Sequence, residues 1–73
     1  MSTEIILHMR SGRRHVFHPD DLNGPHDRGG EQALERVKRS LHEEFGLLDF
    51  RDTEGHHWIV RSAMVEGVLV NHG

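Results

Sequence analysis

The sequence predicts an α+β fold: β-β-α-β-β, an antiparallel sheet of four or five strands with one helix packed on one face. Three observations carry this reading. Two β-compatible runs flank Ser11-Gly12, an apolar stripe of helical period follows Gly30, and two further alternating runs flank Thr53-Glu54-Gly55.

Residues Glu4 to Arg10 and Arg13 to His18 form the first pair of runs, and Gly12 supplies the positive φ that a tight hairpin requires. Two registers are open. A two-residue loop sets His8 opposite His15, whereas a glycine bulge sets Leu7 opposite His15. From Pro19 to Gly30 the chain is dense in Asp, Gly, Pro and Asn without apolar period, so 19–30 reads as a flexible loop.

Glu31 to Phe45 reads as an amphipathic helix. Leu34, Val37, Leu41 and Phe45 recur at three- and four-residue steps with Ala33 and Ser40 beside them, while Glu35, Arg36, Lys38, Arg39, His42 and Glu43 cover the other side. Gly46 stands where a left-handed C-terminal cap is expected. Leu47 to Asp52 and His56 to Ser62 then form a second hairpin in which Phe50 opposes Trp58 and Leu48 opposes Val60. Val65 to Val70 reads as a last strand, with Gly67 at a bulge. The strand, Asp-x-x-Gly turn, strand and short last strand of Leu47 to Val70 resemble small bacterial domains in general hairpin grammar only, and identify no family.

Seventy-three residues hold one domain, 1–73, and a domain of this size buries only about 60% of the surface its unfolded chain exposes. The core is therefore thin. The absence of cysteine removes disulfides and thiolate metal sites as supports, leaving self-association or a histidine-based metal. No apolar run approaches the length of a bilayer span, and Met1-Ser2-Thr3-Glu4 lacks the basic start and apolar core of a secretory signal, so cytoplasmic residence is expected. The formal charge of −3 gives no global reason to expect nucleic acid or an acidic membrane as partner.

Eight histidines are the compositional outlier, and imidazole binds zinc and other transition metals without thiolate help. His8 and His15 could chelate together in the two-residue-loop register, with a third ligand from His18, the Asp20-Asp21 turn or another subunit. The tip of the first hairpin is basic, and Arg10, Arg13 and Arg14 could contact phosphate or nucleic acid. Catalytic signatures are absent: the chain has no nucleophile elbow, phosphate-cradling glycine loop or His-Glu-x-x-His helix. A non-enzymatic role is expected.

Strand edges give the leading functional expectation. Neither Ile5 to Leu7 nor Val68 to Val70 carries the lysine or proline that blunts an edge, so Ile5, Leu7, Val68 and Val70 are candidates for an interaction edge. A regulator, inhibitor or accessory subunit acting by protein–protein interaction, through this edge or a helix face, fits best. Its partner would be a second copy in a homodimer or another protein. The alternative to such an edge is that these two strands pair with each other within one chain.

Overall fold

Gly12 takes a φ of 91° and Gly55 a φ of 87°, and these two left-handed turns set the registers of both hairpins. The computed structural model describes residues 3–23 and 30–72. In chain order the elements are β1 (Glu4–Met9), β2 (Arg14–Phe17), a 3-10 turn at Pro19–Asp21, α1 (Gly30–Leu41), β3 (Leu47–Arg51), β4 (His57–Arg61), a second 3-10 turn at Ser62–Met64, and β5 (Val65–Asn71).

At the first hairpin the Met9 N–H donates to the Arg13 carbonyl (2.8 Å) and the Gly12 N–H to the Met9 carbonyl (2.9 Å), which is the glycine-bulge geometry. Leu7 therefore lies opposite His15, and His8 opposite Arg14. The second hairpin has Phe50 opposite Trp58 and Leu48 opposite Val60, as the spacing predicts. β5 pairs with the far side of β1, where the register slips between His8–Gly67 and Met9–Val65, so the irregularity expected at Gly67 is present.

The fold is α+β and its strands antiparallel, but they divide into two sheets, β2-β1-β5 and β3-β4. β1 takes both β2 and β5 as neighbours, which leaves the second hairpin to pair with itself. The sheets meet through their inner faces instead. Phe17 stacks on Phe50 with ring centroids 4.4 Å apart and planes 20° off parallel. Ile5, Leu7, Met9 and Phe17 from one sheet bury with Leu48, Phe50 and Val60 from the other. A backbone bond ties the rims, the Thr53 N–H donating to the Val16 carbonyl (2.9 Å), while the Ser62 N–H extends the second hairpin by donating to the Gly46 carbonyl (2.9 Å).

The helix departs from expectation at its end. It stops at Leu41, and Phe45, placed on its apolar stripe by spacing alone, is 87% exposed. The buried line is Ala33, Val37 and Ser40, with Leu41 at the margin. Small residues at two of these three positions let the helix approach closely. The Ser40 hydroxyl, buried, hydrogen-bonds the Ser62 hydroxyl. Gly46 is not left-handed; a side chain there would lie 2.7 Å from Ser40 Oγ, 2.9 Å from Ser62 Oγ and closer still to the Ser40 carbonyl. Gly46 is thus required by crowding, not by capping.

The segment expected to be a loop is ordered in its first part. Pro19–Asp21 is a 3-10 turn, Leu22 bridges Phe50 and is buried, and the Asn23 N–H donates to the Asp49 carbonyl (2.8 Å). One apolar residue among turn formers is enough to anchor it, since Leu22 fills the space beside Phe50. Residues 24–29 of the expected loop lie outside the described residues. Among the described residues, no helix is long and apolar enough to cross a membrane.

Phe50 is fully buried against Phe17, His15 and Leu22, so Phe50→Ala should cost about 3–5 kcal/mol, enough to unfold most molecules of a domain this small. Phe45→Ala should stay within about 0.5 kcal/mol of the parent. Urea unfolding of the two variants checks both, and a large loss for Phe45→Ala would restore it to a buried helix stripe.

Candidate functional site

The glycine bulge decides the fate of the predicted metal ligands. His8 and His15, one residue out of register, point to opposite faces of the sheet. His8 is exposed, and His15 is 5% exposed on the inner face. His18 lies at the other end of the hairpin, with Nδ1 3.1 Å from the Thr3 carbonyl. The pairing of His8 with His15 required the other register and does not occur. Among the described residues, no group of three His, Asp or Glu side chains could hold a metal ion.

The predicted interaction edge divides in the same way. Ile5 and Leu7 sit on the central strand of their sheet, fully buried and flanked by β2 and β5, so they are not an edge. Val68 and Val70 pair with Leu7 and Ile5 and lie on an edge strand. The two candidate strands therefore satisfy each other on one side, and β5 keeps its outer side open.

The alternation of the antiparallel ladder fixes which groups point outward. Met9, Leu7 and Ile5 direct their peptide groups to β2, so His8, Ile6 and Glu4 direct theirs to β5; the Arg10 N–H, in the same phase, donates to the Met64 carbonyl (2.8 Å). On β5 the groups of Gly67, Leu69 and Asn71 face inward to β1, and those of Val68 and Val70 face out. Beside this edge Leu69 is 54% exposed on the outer face, opposite Ile6, which in turn opposes Val16.

A second surface lies on the opposite side, where β2 and the second hairpin converge. His15 sits between aromatic rings, 4.4 Å from Trp58 and 5.8 Å edge-on to Phe50. Its burial, reinforced by the Arg13 guanidinium, holds the imidazole pKa below the ordinary 6.5 against the opposing pull of Asp52. His15 is therefore a neutral core aromatic. The Arg13 guanidinium lies 5.4 Å from the Trp58 ring centroid, within cation–π reach. Arg10 and Arg14 are exposed, Arg14 on the opposite face with His8.

Asp52 organises the far end of this surface. Its carboxylate accepts the N–H groups of Glu54 (3.0 Å) and His56 (2.8 Å) and the Trp58 indole N–H (2.8 Å). Desolvation raises its pKa, but the donors from His56, Trp58 and Glu54 outweigh that and hold the group below the ordinary carboxylate value. The Asp-x-x-Gly pattern was the signal in the sequence for this side-chain-braced turn; that the same carboxylate fixes Trp58 depends on a hydrogen bond no spacing announces.

On the outer face of the second hairpin, Asp49 accepts from the Asn23 side-chain amide (2.7 Å) and lies 2.5 Å from His57 Nε2. The Asn23 bond first, then that of His57, lowers its pKa. The cluster has no hydroxyl or thiol within it to activate, and it serves to pin residues 22–23 to β3. Comparison with protein-family models, curated proteins and solved structures finds no match for this chain.

The sign of the pH dependence follows from these positions. With its folded pKa depressed, His15 is protonated in the unfolded chain before the folded one as pH falls, so its contribution is intact above about 6.5 and is lost as pH drops toward the folded value. Asp49 and Asp52, also depressed, hold their contributions above the ordinary carboxylate value of 3.8 and lose them below it. Unfolding midpoints across about pH 7.5 to 3 should fall in two stages, and His15→Phe should remove the upper stage while leaving the lower. An unchanged upper stage in that variant would assign it to other histidines.

Proposed function

We propose that this domain is a non-catalytic protein-interaction module that associates through the outer edge of β5, and that its partner is a second copy. The observation that carries the reading is the seven-residue edge strand Val65–Asn71, whose Val68 and Val70 peptide groups face outward and which holds neither lysine nor proline. Its single charge is Glu66.

A two-fold axis beside β5 would set two copies of it antiparallel and join two three-stranded sheets into one of six. The isologous contact asks nothing of the chain except that its edge be complementary to itself. The exposed Leu69 side chains would meet across the axis and extend the Val16, Ile6, Leu69 line over both copies. For a domain with so thin a core, added apolar burial of this kind also stabilises the fold.

Light scattering on the purified chain should give a mass of two copies that falls toward one on dilution. Val70→Pro removes one outward donor while leaving the ladder to β1 intact, because proline is tolerated on an edge strand where its missing N–H faces solvent. That variant should be monomeric with an unchanged circular dichroism spectrum. A parent that is monomeric at high concentration, or a dimer indifferent to Val70→Pro, would contradict the assignment to β5.

A further inference from the structure

We infer that the cleft between the first hairpin and β4 is a docking site for an acidic, extended peptide segment that seats one aliphatic side chain against Met9, Val60 and Met64. This site is separate from the β5 edge and does not depend on association through it.

The cleft has a volume of about 430 Å³, and Trp58 joins the three aliphatic residues in lining it. Met64 is 48% exposed there, an unbranched apolar side chain left in water at the mouth of the core. The rim is cationic. Arg13 and Arg61 line the cleft. Neither guanidinium forms an ion pair with a carboxylate of the described residues. In a chain of net charge −3, two arginines lining one apolar cleft without an ion-paired acid leave the carboxylates to be supplied by the partner.

An extended partner is favoured by the edge beside the cleft. β2 is the outer strand on this side, and the ladder phase that turns the Val16 carbonyl out to Thr53 also turns out the peptide groups of Arg14. A segment lying along β2 would meet those groups while alternate side chains enter the cleft. Nucleic acid fits less well. The Trp58 ring is already contacted by His15 at 4.4 Å and Arg13 at 5.4 Å, and its N–H is held by Asp52, so a stacking base would have to displace them.

Trp58 is the sole tryptophan of the chain and reports directly on the cleft. Its emission should change saturably on titration with an end-capped peptide alternating glutamate and leucine, with an affinity that falls as salt rises. The change should be absent with the lysine–leucine and glutamate–alanine counterparts and with an oligothymidylate. Arg13→Ala combined with Arg61→Ala should weaken the response about tenfold. Met64→Ser, at an exposed position that the fold does not require, should weaken it about tenfold through the lost apolar contact. Val70→Pro should leave it unchanged, which separates this site from the β5 edge. No emission change with the glutamate–leucine peptide, an equal response to any of the three control ligands, or indifference to the arginine or Met64 substitutions would overturn the proposal.

Discussion

The contact between Phe17 and Phe50 is the constraint on which the rest of the molecule depends. Two small antiparallel sheets share no continuous ladder, and a two-stranded sheet such as β3-β4 is marginal by itself. Their inner faces are joined by a stack of rings, Phe17 on Phe50, with His15 edge-on to Phe50 and against Trp58. Offset and edge-to-face pairs of this kind contribute about 0.5–1.5 kcal/mol each beyond the area they bury. In so small a domain that is a large share of what separates folded from unfolded chains. The helix closes the structure through close approach of Ala33 and Ser40, and Gly46 is fixed by the same crowding.

Both proposed surfaces follow from the division into two sheets. Once β1 is flanked by β2 and β5, its own edge capacity is used up, and the edge strands of its sheet are β5 and β2. The outer side of β5 is long and uncharged except for Glu66. That of β2 is partly closed by the bond from Thr53, and the inner-face residues Arg13 and His15 line the cleft beside Trp58. Of the arginines at the basic hairpin tip, Arg13 borders the apolar cleft, with its guanidinium 5.4 Å from the Trp58 ring centroid.

The second hairpin was fully legible in the sequence because its register is set locally, by Gly55 and the alternation of Leu48, Phe50, Trp58 and Val60. The first was legible only as a pair of alternatives, since Ser11-Gly12 suits either loop. What selects the bulge is burial: it places His15 with Leu7 on the inner face, where the aromatic slot receives it. The helix end was misread because spacing extends the stripe to Phe45, while the chain must leave the helix after Leu41 to bring Gly46 over Ser40 and Ser62. Leu22 and the Asp52–Trp58 bond were hidden for a related reason. Each depends on a partner more than five residues away, and neither leaves a period behind.

A double-mutant cycle on Phe17→Leu and Phe50→Leu, followed by urea unfolding, tests the central claim most directly. If the ring stack joins the sheets, the two substitutions should couple by about 0.5–1.5 kcal/mol, with a single cooperative transition in every variant. Losses that add to within about 0.3 kcal/mol, or an unfolding curve that separates into two steps, would mean that the sheets are held together by something other than this contact.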